Sequence, residues 1–191
     1  MVVRYNAPVI LTFALVSSCA MLIAQLVGMG FMQSFFMVPG NTYGFNFFSL
    51  DFYKLFSHAI GHGGWEHLVG NFTFILLIGP ILEEKYGSSN LLFMMLVTAL
   101  VTGIINVLFF STALLGASGI VFMLIVLISF TNIKGSEIPI TLVVIILLFL
   151  IKEIIGMFQQ NDISETAHLI GGAFGGIFGF FFGKKGRTES S

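Results

Sequence analysis

Ser118 lies in Gly116-Ala117-Ser118-Gly119 at the head of one apolar run, and His168 lies in Ala167-His168-Leu169-Ile170-Gly171 near the head of another. A bilayer penalises polar and ionisable groups, so a histidine inside an apolar segment marks a functional site by default. A hydroxyl and an imidazole entering the membrane from the same side point to a nucleophile with its general base, the chemistry of acyl transfer. Gly116 and Gly119 permit unusual dihedrals and close backbone approach beside the serine. A helix start also offers N–H groups and a positive dipole end, which stabilise an oxyanion. A serine at that position commonly serves as an N-cap. GxSG also recurs by chance, so the motif takes its weight from its context.

A third segment supplies hydrogen-bond donors. His67 and Asn71 are four residues apart and share a helix face. Both side chains donate toward a developing negative charge. His58 and His62 precede them in a loop. The pattern His58-x3-His62-x4-His67 is reminiscent of zinc ligation, but it lacks the glutamate of HExxH, and Glu66 stands before His67 instead. We therefore expect no metal and no cofactor. Glu165, three residues before His168, reads as an exposed helix-start charge, which leaves a Ser–His dyad without an acid. Downstream of His168, Gly172, Gly175 and Gly179 follow at offsets of four, seven and eleven, a stripe that lets helix backbones approach closely in lipid.

The elements that must position these residues are membrane spans. The chain of 191 residues is 57% hydrophobic and only 9% charged, against roughly 25% charged in soluble domains. Its mean hydropathy is +1.01. Net charge is −1, with no basic stretch beyond the short tail, which excludes nucleic acid as a partner. The single cysteine, Cys19, excludes an internal disulfide and reads as an inert packed thiol. Arg4 precedes a long apolar run without a small-x-small cleavage site, which reads as a first span and not as a signal peptide.

With ~20 apolar residues needed per span, six segments qualify, at about 8–30, 65–82, 90–111, 117–133, 138–158 and 164–183. They make residues 1–191 one membrane domain with a polar tail at 184–191. Residues 31–64 are too long and aromatic for a simple turn and are expected to lie in the interface. Arg4, Lys85, Lys134, Lys184, Lys185 and Arg187 then share one side, and only Lys54 lies in an opposite loop. Both termini are therefore expected in the cytoplasm, with the long loop outside. Lys152 falls within the fifth span, where it snorkels. In this topology His62, His67, Asn71, Ser118 and His168 all enter from the outer leaflet. A transporter would use such polar groups as a path, but no line of charges crosses the bilayer.

At this point the chain resembles the rhomboid intramembrane serine proteases. His62-Gly63-Gly64-Trp65-Glu66-His67-Leu68-Val69-Gly70-Asn71 resembles the family's H-x4-H-x3-N segment. Gly116-Ala117-Ser118-Gly119 resembles its GxSG, and Ala167-His168-Leu169-Ile170-Gly171-Gly172-Ala173-Phe174-Gly175 its AHxxGxxxG. The resemblance spans residues ~50–183. It implies an all-α, six-helix bundle with a long interfacial loop between helices 1 and 2, and a water-filled cavity open to the outside. It implies Ser118 as nucleophile and His168 as base. His67, Asn71 and the Ser118 backbone N–H would form the oxyanion hole, with His62, Gly116 and Phe122 in support. The fifth span would act as a gate, and transmembrane proteins would be the substrates. Phe122 stands where the family often has tyrosine, Tyr53-Lys54 where it often has Trp-Arg, and Glu83 with Gly87 matches its E-x-x-x-G. The compact chain suits a bacterial inner membrane. Some relatives lack the serine or histidine and bind membrane clients without cleaving them; this chain keeps both.

Overall fold

The computed structural model describes residues 5–130 and 165–183, together with Ile140, Val143, Val144, Leu147, Leu148 and Ile151. Most of the expected fifth span, the end of the fourth beyond Phe130, the turns flanking the fifth and the 184–191 tail lie outside these residues. The helices are α1 (Pro8–Val27), α2 (Gly30–Phe35), α3 (Lys54–Ser57), α4 (Trp65–Tyr86), α5 (Ser88–Phe109), α6 (Ser118–Ser129) and α7 (Glu165–Gly183). Among the described residues there is no strand, only an isolated antiparallel bridge between Val38 and Leu114. The fold is an all-α membrane bundle. Among the described residues three helices, α1, α4 and α5, are long and apolar enough to cross a bilayer.

One end of the bundle is organised by a carboxylate. Pro8 opens α1 with a fixed φ and no N–H. The next two amides, of Val9 and Ile10, donate to the Glu83 carboxylate at 2.9 and 3.0 Å. The Ser88 hydroxyl donates to the same group at 2.7 Å. Glu83 is buried, and an unpaired charge there would cost several kcal/mol. Three donors and the positive end of the α1 dipole offset that cost. The start of α1, the end of α4 and the start of α5 are thereby joined. Gly87, between α4 and α5, has φ +80°, a conformation that favours glycine.

Packing away from this clamp is apolar and close. Met21, Ile75, Leu82, Met94, Met123, Leu124 and Leu127 are fully buried among α1, α4, α5 and α6. The tightest pair is α6 with α7. A Cβ on Gly171 would overlap the Gly119 carbonyl, and one on Gly175 would lie 2.5 Å from the Met123 carbonyl. One on Gly179 would run into the Phe130 ring. The stripe that meets α6 is therefore Gly171, Gly175 and Gly179. Gly171, one residue before the expected Gly172, is thus the first glycine of the stripe to meet α6.

The connection from α1 to α4 is structured throughout. Val38 and Leu114 exchange both backbone hydrogen bonds, at 3.0 and 2.9 Å, and the Asn41 amide donates to the Phe110 carbonyl at 2.8 Å. Further along, Phe47, Phe48 and Leu50 are exposed, Phe48 completely. Lys54 pairs with Asp51 at 2.8 Å at the start of α3. Leu55 then packs against Gly103 of α5.

Candidate active site

Helix α4 ends and α5 starts beside the Glu83 clamp, so the opposite end of the bundle holds the start of α4 and the end of α5. The starts of α6 and α7 lie at this opposite end too, as the contacts of Gly116 and Ala167 show. A Cβ on Gly119 would lie 3.1 Å from the Ala167 carbonyl, so Ser118 and His168, each adjacent in sequence to one of these residues, occupy matching levels. Phe122 lies one turn below Ser118 on the same face of α6. Its ring centroid is 4.4 Å from that of His168, with the planes tilted by 36°. The imidazole is thus held on the Ser118 face of α6 and is itself buried. Ser118 is half-buried at the first position of α6. Ala117 is the N-cap, with no side-chain cap bond, so the serine does not serve as the cap.

Gly116 carries the approach to Ser118. Its φ is +129°, and a Cβ there would lie 2.6 and 2.7 Å from Cε1 and Nε2 of His67. The His67 ring of α4 therefore lies directly on the backbone two residues before the serine. Only glycine meets both the dihedral and the space. Asn71, one turn further along α4, is buried, and its amide nitrogen Nδ2 has no hydrogen-bond partner among the described residues. Leaving a buried donor unsatisfied costs about 1–3 kcal/mol, which an acceptor arriving at the site would recover.

His62 supports this layer from the loop. Its ring meets that of His67 edge to face at 5.0 Å and that of Phe72 at 5.7 Å. Nδ1 donates to the Ile60 carbonyl at 3.0 Å, because a carbonyl only accepts, and that fixes the tautomer. His58, which we expected only to lie in the loop, does more. Its Nε2 donates to the Ala99 carbonyl at 3.0 Å, and its own carbonyl accepts the Gly116 amide at 2.9 Å. His58 thus ties α5 to the segment that carries Ser118. The only advance signal was its place four residues before His62.

Burial holds both loop histidines neutral. It pushes His62 down to about 4, countered by its hydrogen bond to Ile60, and lowers His58 as well. Protonation therefore favours the unfolded chain, whose histidines titrate near 6.5. This part of the stability is complete above pH 6.5 and is lost as the pH falls toward 4. For His62 the slope between these limits is about 1.4 kcal/mol per pH unit, and His58 acts in the same direction. Thermal unfolding in detergent should show a lower midpoint at pH 5 than at pH 7, and His62→Gln should flatten the dependence. Equal midpoints for the parent protein would contradict the burial described.

The family model described as Rhomboid domain matches residues 49–185, well over half of the chain.

Proposed function

Because the chain belongs to the rhomboid family, we propose that it is an intramembrane serine endopeptidase that cleaves other membrane proteins in or near their transmembrane segments. The observation that carries this reading is the stacking of His168 on Phe122, one turn from Ser118. His168 removes the proton from the Ser118 hydroxyl as its oxygen attacks a peptide carbonyl. The resulting oxyanion is held by the Ser118 backbone N–H, by His67 and by the Asn71 amide. His168 then protonates the leaving amine, and water hydrolyses the acyl-enzyme by the same route in reverse. Helical substrates protect their backbone with internal hydrogen bonds. Cleavage therefore selects segments that unwind locally, with small or helix-destabilising residues. The site end of the bundle faces outward and the Glu83 end faces the cytoplasm, in keeping with the lysine and arginine distribution. A bacterial inner membrane is the setting.

Only an activated serine reacts with a fluorophosphonate. Labelling of the purified protein should fall on Ser118 and disappear in His168→Ala. A folded protein that takes no label would be a non-catalytic binder of membrane clients.

A further inference from the structure

One ring nitrogen of His62 is left unused beside the site. Nδ1–H donates to the Ile60 carbonyl at 3.0 Å, so Nε2 carries a lone pair. The residue is fully buried, and Nε2 has no hydrogen-bond partner among the described residues. A buried acceptor in that state costs about 1–3 kcal/mol. The same arrangement, one nitrogen on a backbone carbonyl and the other bare, is how histidines are oriented to ligate a metal.

His67 supplies a second nitrogen. Its Nε2 lies 2.7 Å from the point a Cβ of Gly116 would take, and its Nδ1 lies further off at 3.7 Å. Nδ1 is also 3.9 Å from the corresponding point on Gly63, the residue next to His62. Nδ1 is thus the nitrogen on the His62 side of the ring. The separation of the rings decides which ion fits. Zinc lies ~2.05 Å from a ligating nitrogen and so ~3.2 Å from the ring centre. Two imidazoles at a tetrahedral angle then have centroids ~5.2 Å apart, against ~4.5 Å at the right angle of a square plane. The His62 and His67 centroids are 5.0 Å apart, with planes at 71°. That is nearer the tetrahedral value and favours Zn²⁺ over Cu²⁺ or Ni²⁺.

We infer that His62 Nε2 and His67 Nδ1 form an exchangeable zinc-binding pair beside the segment that carries Ser118. His58, the third histidine of the sequence pattern, is not in it: its Nε2 is engaged by the Ala99 carbonyl, and among the described residues no group of three histidine, cysteine or carboxylate ligands occurs. Water therefore completes the coordination, and the ion is a reversible ligand, not a resident cofactor. His67 is exposed, which gives a hydrated ion its way in. Zinc on Nδ1 leaves the proton of His67 on Nε2, the nitrogen beside Gly116. This is the tautomer that the oxyanion role proposed above requires, and only this consequence rests on that role.

The test uses the full chain in detergent, free of any purification tag and stripped with a chelator, with Zn²⁺ itself as the probe. Titration calorimetry should show one ion bound per chain. Affinity should fall by about tenfold or more in His62→Gln and in His67→Gln, since loss of even an outer-shell partner commonly costs that much. In His168→Ala it should be unchanged. X-ray absorption at the zinc edge needs no variant and guards against misfolding of the substituted chains. In the parent protein it should show two imidazole nitrogens at ~2.0 Å, with oxygens for the rest. A parent protein that takes up no zinc, a shell with fewer than two imidazoles, or binding lost in His168→Ala and kept in His62→Gln would each overturn the assignment. Nothing is cleaved in these measurements, so the pair stands or falls apart from the protease reading.

Discussion

Ser118→Ala is expected to abolish cleavage of a transmembrane substrate while leaving the protein folded in the membrane. The loss should be on the order of 10⁴-fold or more, since removing a serine nucleophile disables all members of such a unit together. The chemical step has no substitute, because neither His168 nor His67 can form the acyl-enzyme in its place. The structural cost should be small. Ser118 makes no capping bond for α6, and substitutions that touch no such feature stay within about 0.5 kcal/mol. Cleavage of a model substrate in vesicles, with thermal unfolding of the same samples, measures both effects. Unchanged cleavage would end the assignment of Ser118 as nucleophile. A lost fold would show that the serine carries structure instead.

The second large effect is expected at Gly171. A side chain there meets the backbone of Gly119, with the carbonyl carbon at 2.8 Å and Cα at 3.0 Å from an ideal Cβ. Backbone cannot swing aside, so Gly171→Val must push α7 away from α6. We expect a loss of about 3 kcal/mol, the upper part of the range for overpacking. Activity should fall further than stability alone explains. His168 is one turn from Gly171, and a displacement of 1 Å at a reacting group costs roughly 100-fold in rate. Gly176 provides the contrast. A Cβ there meets nothing within 4 Å, so Gly176→Ala should be neutral or gain about 0.5–1 kcal/mol of helix stability. If Gly171→Val and Gly176→Ala behaved alike, the close approach of α6 and α7 would not hold.

The sequence exposed the site more clearly than its supports. Ser118, His168, His67 and Asn71 are polar groups at the heads of apolar runs, and the cost of placing them there is what makes them visible. Their spacing also put His67 and Asn71 on one face of α4. The same reasoning found a glycine stripe on α7 at Gly172, Gly175 and Gly179 but not the contact of Gly171 with α6. Offsets of three and four both lie near His168, and only the partner helix decides between them. Glu83 with Gly87 was noticed as a pattern, yet its carboxylate is paired with amides some 70 residues earlier. Backbone amides leave no trace in residue type. The same holds for the exchange between Val38 and Leu114, and for the bond from the Gly116 amide to the His58 carbonyl. These main-chain links steady the segment before Ser118.

The Glu83 clamp also bears on the order in which the chain matures. Ile10 reaches the translocation machinery 73 residues before the carboxylate that receives its amide. The first span must therefore enter the bilayer with its leading amides satisfied by something else, water or headgroups, and exchange that partner only after α4 has been synthesised. Final seating of the N-terminal helix is then a late event in biogenesis. Nascent chains halted before residue 83 should hold that helix loosely, whatever the strength of its own insertion.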